Sequence, residues 1–397
     1  MHTLIELYDE RPMENVLSTE MFRPAETVFI CPARIAVDRE LRAKLKEYFR
    51  HRGVDAKLTF LGTSLLDAEK VAACLRQAVA QHPDCAVDIS GGTDAALFAA
   101  GMVCSEQDLP AFTFSRRQSR FFEIRNAPFA RDLPCSIRLD VESCFLMAGG
   151  ALREGRVDNA ILRDYFDVID PFFDVYLTHR RGWTQAVSYL QRASQAQQGE
   201  TGEGALTAEA DAHMKGERGS VLDAPEALLQ DLAAIGMIRD LDVRDGRVRF
   251  AFRDAQIRKW LRDVGSVLEI KVYKDCVETG VFDDVVTSAI VDWAGEQQQN
   301  GVSNEIDVMA THGVLPVFIS CKTCDVKTEA LNELAILRDR FGGKIARAAI
   351  VTAEKGGAAM RNRASELGID VFDLTDLNNL LNKRADTRLR NLIRAAD

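Results

Sequence analysis

Through residues 1–148 two patterns alternate. Short runs rich in apolar and β-branched residues ("TLIELY", "TVFICP", "AKLTFL", "AVDIS", "AFTFS") are separated by longer stretches such as "RELRAKLKEYFRHRG" and "DAEKVAACLRQAVAQH", whose apolar residues recur every three or four positions. The first pattern is that of strands and the second that of amphipathic helices. Their alternation predicts a parallel sheet covered on both sides, a Rossmann-like layout. Residues 149–264 read as a more helical middle region. There "ALLQDLAAIGMIRDLDVRDGRVRFAFRD" predicts a helix followed by a hairpin turning at Asp245-Gly246, which fits a winged-helix shape. Residues 192–219 are rich in Gln, Gly, Glu and Ala, nearly free of aliphatic bulk, and are expected to form a mobile loop. From 265 to 397 the order becomes helix, hairpin, helix, strand, helix, strand, a compact α/β/α layout. The expected class is α/β in three parts.

The hairpin of the last part, "NEIDVMATHGVLPVFISCK", raises a chemical question. Successive strand residues point to opposite faces, so Ile306, Val308 and Ala310 share one face and Glu305, Asp307 and Met309 the other. After the Gly- and Pro-bearing turn, Val317, Ile319 and Cys321 form an apolar face that leaves Phe318, Ser320 and Lys322 opposite. Antiparallel pairing then brings Asp307, Ser320 and Lys322 to one end of the sheet, and Glu269 lies on the preceding helix, "GSVLEIKVY". A plain solvated strand face is the competing explanation for any one of these residues.

Composition narrows the function classes. The 397 residues allow two or three domains, and no apolar run approaches the ~18 residues of a membrane span. The opening "MHTLIELYDERPMENV" lacks the basic and apolar regions of a signal peptide, so a cytoplasmic protein is expected. Nine cysteines, an odd number in apolar surroundings, suit reduced thiols. Cys321 and Cys324 have CxxC spacing, yet no second such pair completes a zinc site. A net charge of −10 argues against wrapping nucleic acid through bulk electrostatics but not against a nuclease, and "FSRRQSRFFEIRNAPFAR" supplies a local basic and aromatic stretch. In "AVDISGGTDAALFAAG" an apolar run ends at Ser90-Gly91-Gly92-Thr93 and a helix begins, a place where free amides attract phosphate and where glycines can also serve a tight turn alone.

The ordered set of helix Glu269, strand Asp307 and strand Lys322 resembles the PD-(D/E)xK nuclease superfamily. The resemblance implies Asp307 as chief ligand of a divalent metal, Mg2+ or Mn2+, and Lys322 as the lysine that orients the attacking water. It implies Glu269 as the helix acid and the backbone carbonyl of Cys321 as a further ligand. Ser320 stands where the pattern has a second acid, so Glu305 or Glu269 is expected to supply the missing charge. Taken with a first domain bearing "SGGT", the chain resembles the CARF-domain ancillary nucleases of type III CRISPR defence over nearly its whole length. That resemblance implies a homodimer binding a cyclic oligoadenylate, cyclic tetra-adenylate favoured, and a nucleic-acid substrate, DNA or RNA. Ser90, Gly91, Gly92 and Thr93 would line the messenger pocket, with Asn15 from the loop "YDERPMEN" and Arg34 from "CPAR". Two rivals are a ligand-sensing winged-helix transcriptional regulator and an unregulated Mrr-like restriction endonuclease.

Overall fold

The computed structural model describes residues 1–154, 156–195, 206–215, 221–293, 303–373, 389, 391 and 392. The N-terminal unit holds strands β1 (Thr3–Leu7), β2 (Glu26–Pro32), β3 (Lys57–Thr63), β4 (Cys85–Asp88), β5 (Ala111–Ser115), β6 (Arg120–Arg125) and β7 (Leu133–Pro134). They form one sheet in the order β3-β2-β1-β4-β5-β6-β7, with the first five parallel and the last two antiparallel. β1 and β4 are buried along their whole length because helices cover both faces. On one face the helices Ala68–Gln81 and Asp94–Glu106 pack Val71, Leu75, Ala99 and Val103 against Ile5, Val28 and Val87. On the other, Tyr48 and Phe49 of the helix Arg39–His51 join Leu4, Phe112 and Phe121.

The chain then enters the second large sheet earlier than expected. β8 (Ala151–Glu154), just past the boundary read at 148, pairs antiparallel with β14 (Asp284–Asp292) and forms the sheet's edge. The middle region contributes β9 (Thr207–Asp211), β10 (His213–Lys215), β11 (Val221–Asp223), β12 (Ile238–Arg244) and β13 (Arg247–Phe252). β12, β13 and β9 form a small sheet beside the helices Glu226–Ala234 and Ala255–Leu261, the winged shape expected. The β12–β13 turn is at Asp245 and Gly246, both at positive φ as a two-residue hairpin turn requires.

The loop expected over 192–219 is corrected where it is described. Residues 192–195 continue a helix, 207–211 are β9, and 213–215 pair with β11, whereas 196–205 and 216–219 lie outside the described residues. Small residues misled the reading. Ala208 sits across from Phe250, so the partner strand supplies the bulk that β9 lacks.

The second large sheet runs β18-β17-β16-β15-β14-β8, with β15 (Ser303–His312), β16 (Leu315–Lys322), β17 (Arg347–Thr352) and β18 (Ile369–Phe372). β16, β17 and β18 are parallel and the rest antiparallel. One face carries the helix Ser266–Glu278 and shares its core with the middle region, where Leu268 and Tyr273 meet Phe172, Trp183, Val308 and Ile319. The other face, under the helix Thr328–Phe341, continues into the N-terminal unit through Val141 and Phe145. The middle region therefore has no core of its own, and the parts met at 148 and 264 are joined by continuous apolar packing. Among the described residues no helix is long and apolar enough to cross a membrane, and all nine cysteines are free thiols.

Candidate functional site

Asp307 lies where two strands part. β15 and β16 pair from His312↔Leu315 to Val308↔Ile319, and beyond that register the Cys321 N–H turns to a side chain, donating to Asp307 Oδ2 at 2.6 Å. Ser320 Oγ donates to the same oxygen at 3.1 Å and Lys322 Nζ at 3.0 Å. On the opposite side Thr287 Oγ1 donates to the Asp307 carbonyl at 2.7 Å, and the next residue, Ser288, has φ of +51°.

This distortion corrects the expected faces. Val308 and Ala310 point into the core under the helix Ser266–Glu278, but Ile306 points into the opposite core with Met309 and Phe318. Neither face is solvated, because helices cover both. Asp307, Ser320 and Lys322 meet at the end of a buried strand pair, and the solvated-face reading fails for Met309 and Phe318, which are fully buried.

Glu269 stands in the first turn of its helix. That turn is fastened by Asp263, whose Oδ2 accepts from Gly265 N (3.1 Å), Ser266 N (2.7 Å) and Ser266 Oγ (2.8 Å). Burial pushes the Glu269 carboxyl up to about 8, and the charges of Asp307, Asp263 and Glu305 push the same way, with Lys322 opposing. Glu305, on β15, is raised by burial and then by Asp307 and Asp263. Lys322 is held above its ordinary value by Asp307 despite the cost of burial. Excess negative charge thus gathers around one ammonium group, a donor set of hard carboxylate oxygens that suits a divalent cation. Among the described residues, however, no group of three or more His, Cys, Asp or Glu is gathered in a form that can hold a metal ion.

Asp263 escaped the sequence reading. Its signal was present in "DVGS", an acid three residues before a serine at the start of an apolar periodic run.

The "SGGT" segment follows β4, and the structure gives its parts different employment. Thr93 caps the helix Asp94–Glu106, accepting from Ala96 N at 3.3 Å, and its hydroxyl also donates to the Leu65 carbonyl. Ser90 bonds the Asp88 carboxylate through both its N–H (2.7 Å) and its hydroxyl, and its Oγ accepts from Phe114 N at 2.7 Å. Gly91 leaves little room for a side chain, since an added Cβ would stand 3.0 Å from Asp9 Cβ and 3.2 Å from the Leu7 carbonyl. Gly92 has φ of +106°.

Asn15 and Arg34, the other expected contacts, are placed as follows. Asn15 is buried, its Oδ1 accepting from Asp9 N (2.9 Å) and its Nδ2 donating to the Asp9 carbonyl (2.8 Å), so it braces the loop backbone instead of facing outward. The residue that reaches the glycines is Asp9, whose Oδ2 accepts from Gly92 N at 2.9 Å. Arg11 forks onto the same carboxylate at 2.8 and 2.7 Å. Burial works against the Asp9 charge, but Arg11 and the Gly92 amide outweigh it and hold the carboxyl below its usual range. Arg34 is exposed beyond β2, 3.9 Å from Glu10, and away from the glycines' own contacts.

Residues 256–390 match the family model described as Card1-like, endonuclease domain. The fold is similar to the crystal structure of protein VC1899 from Vibrio cholerae, at a TM-score of 0.76 and 16% identity, covering 99% of this chain and 98% of that one. It is also similar to Can2 from Sulfobacillus thermosulfidooxidans in complex with cyclic tetra-adenylate, at a TM-score of 0.68 and 16% identity, covering 96% and 99%. No curated protein matches in sequence. Residues 256–390 thus resemble an endonuclease domain, the chain is an endonuclease, and its fold is the one that the resemblance to CARF-domain nucleases implies.

Proposed function

We propose that this endonuclease is metal-dependent, that a cyclic oligoadenylate bound by its N-terminal unit switches it on, and that it works as a homodimer in antiviral defence of the type III CRISPR kind. The observation that carries the reading is the meeting of Ser320 Oγ, the Cys321 N–H and Lys322 Nζ on one oxygen of Asp307, beside a glutamate kept neutral by its surroundings. A regulator that only gripped DNA has no use for this set. Cyclic tetra-adenylate is the favoured activator because Can2, whose fold this chain shares, was solved with it.

Asp307 and Glu269 would hold Mg2+ or Mn2+ as a pair, with the Cys321 carbonyl as a further oxygen donor and Glu305 drawn in only if the acids close on the ion, since they do not stand gathered as a ready-made site. Bound there, the ion supplies Lewis acidity toward a phosphodiester and lowers the pKa of water. The chain's own part follows from its hydrogen bonds. The Cys321 N–H and Ser320 Oγ fix the orientation of the Asp307 carboxylate. Lys322 Nζ donates to Asp307, and its ammonium would orient the attacking water and offset charge on the phosphate. Ser320 acts through Asp307 as a positioning residue. In the N-terminal unit, the Gly91–Gly92 backbone would meet the messenger, with Asp9, itself held by Arg11 and the Gly92 amide, fixing the loop beside it.

The test is cleavage of plasmid, single-stranded DNA and RNA by the intact protein with Mg2+, Mn2+ or EDTA, with and without cyclic tetra- or hexa-adenylate. Cleavage that needs both a divalent ion and a cyclic oligoadenylate is expected. Cleavage undiminished by EDTA refutes the metal site, and cleavage indifferent to either messenger refutes the switch.

A further inference from the structure

A cavity of about 810 Å3 opens at the seam between the N-terminal unit and the nuclease sheet. Its walls are the β5–β6 turn, the chain at 135–138, the β15–β16 turn and the start of β17. None of the "SGGT" residues and none of the acids around Asp307 lines it. Arg116, Arg117, Arg138 and Arg347 do, with His312, in a chain whose net charge is −10.

Three of these arginines have acidic partners: Arg116 pairs with the buried Glu14, Arg138 with Asp283, and Arg347 acts on Asp370. Arg117 is exposed and makes no ion pair among the described residues. His312 Nδ1 lies 2.7 Å from the Val281 carbonyl, which can only accept, so Nδ1 carries a proton and the ring is held with Nε2 free of that contact. Phe114, Ile137 and Val314 give the cavity an apolar wall. The volume lies within the range of about 300–1,000 Å3 typical of small-molecule sites. Guanidinium forks beside an apolar wall suit a phosphate carrying a flat base.

We propose that this seam cavity binds nucleotide phosphates and that the β15–β16 hairpin feels its occupant. The inference rests on the reading of the chain as a messenger-gated nuclease and adds a second contact surface to it. Substrate is the wrong occupant on geometric grounds. The cavity meets β15 at His312, five residues or about 17 Å along the strand from Asp307, at the far end of the hairpin.

Both connections needed for coupling exist. Toward the nuclease, Leu139 N donates to the Gly313 carbonyl (2.8 Å), Thr311 Oγ1 donates to the Leu139 carbonyl (2.6 Å), and Asp283 binds both Arg138 and Gly313 N (2.6 Å). Toward the glycines, the Arg116 partner Glu14 packs so closely on Gly91 that an added Cβ there would lie 3.1 Å from Glu14 Cβ. The phosphate can come from a mononucleotide or from the cyclic oligoadenylate reaching across the seam.

The experiment measures equilibrium binding of ATP, inorganic triphosphate and cyclic tetra-adenylate to the intact wild type, Arg117→Glu and Gly92→Leu. Hydrogen exchange of residues 308–319 is followed with each ligand. At least one probe is expected to bind about tenfold more weakly to Arg117→Glu, the scale of one charge-assisted contact, and to slow exchange in the hairpin. If ATP or triphosphate shows this and is indifferent to Gly92→Leu, the occupant is a mononucleotide. If only cyclic tetra-adenylate binds and both variants weaken it, the ring spans both places. Cyclic tetra-adenylate weakened by Gly92→Leu alone, with the other probes silent, overturns the seam site and leaves the "SGGT" reading standing. Binding without any change in hairpin exchange overturns the coupling, and failure of every probe to bind wild type overturns the seam site and the messenger reading together.

Discussion

Replacing Glu269 by glutamine should stabilise the metal-free protein while removing most of its cleavage. The carboxyl is pushed up from its ordinary 4.5 to about 8. Between those values the unfolded chain carries an ionised Glu269 and the folded one a protonated Glu269, so folding takes up a proton and stability falls as pH rises. Each pH step costs roughly 1.4 kcal/mol. The cost is near zero at the ordinary pKa, roughly 3 kcal/mol at pH 7 and levels off above pH 8 at a ceiling of roughly 5 kcal/mol, lowered by any relaxation around the site. Glutamine has the same shape and no such slope. In EDTA, urea unfolding followed by tryptophan fluorescence should give curves that coincide near pH 5 and separate steadily to pH 8, with Glu269→Gln the more stable. Glu305, raised for similar causes, tilts both curves alike and largely cancels in the difference. Adding Mn2+ should then stabilise wild type more than the variant. A stability difference that does not widen with pH would refute the claim that Glu269 is folded in its neutral form.

Three further outcomes are expected. Asp307→Ala and Lys322→Ala should each lower cleavage by at least ~100-fold while the far-ultraviolet dichroism is kept, since one removes the chief ligand and the other its charge partner; full activity in either moves the active site elsewhere. Ser320→Ala should retain substantial cleavage because the Cys321 N–H still holds Asp307 Oδ2, whereas Glu269→Ala or Glu305→Ala should raise the Mn2+ needed for half-maximal rate; a Ser320→Ala protein dead at every Mn2+ concentration, beside glutamate variants that match wild type, defeats this ordering. Gly92→Leu should weaken cyclic tetra-adenylate binding at least ~10-fold without unfolding the nuclease unit, because φ of +106° excludes a branched side chain; unchanged affinity by calorimetry removes "SGGT" from the pocket.

Local pattern made much of the fold legible and left its long-range joins hidden. The alternating runs marked β1 to β5, and "DG" marked the β12–β13 turn, because a buried strand and a tight hairpin each impose their own residue types. The strand at 151–154 carries no such stamp, since what makes it a strand is β14, far ahead in the chain. At the candidate site the strand spacing predicts that Asp307, Ser320 and Lys322 meet, and they do. It could not show that β15 twists at Asp307, which sends Ile306 and Val308 into different cores. Around the glycines, a polar loop residue invited the choice of Asn15. The loop's own backbone needed that amide, and the side chain that reaches the glycines is Asp9, a distinction that depends on hydrogen bonds across the fold.

The edge strand β8 bears on how this chain can be made and divided. It leaves the ribosome roughly 130 residues before the β14 edge it must join, so the nascent chain carries an unpaired strand through synthesis of the entire winged region. Closure of the nuclease sheet therefore waits on late residues, while the N-terminal unit can finish early. A fragment starting at 256 would keep the matched endonuclease sequence but expose the β14 backbone along its border, where another copy can dock strand to strand. Any attempt to transplant the nuclease as a module must carry residues 151–154 with it, by circular permutation or by fusing them beside β14.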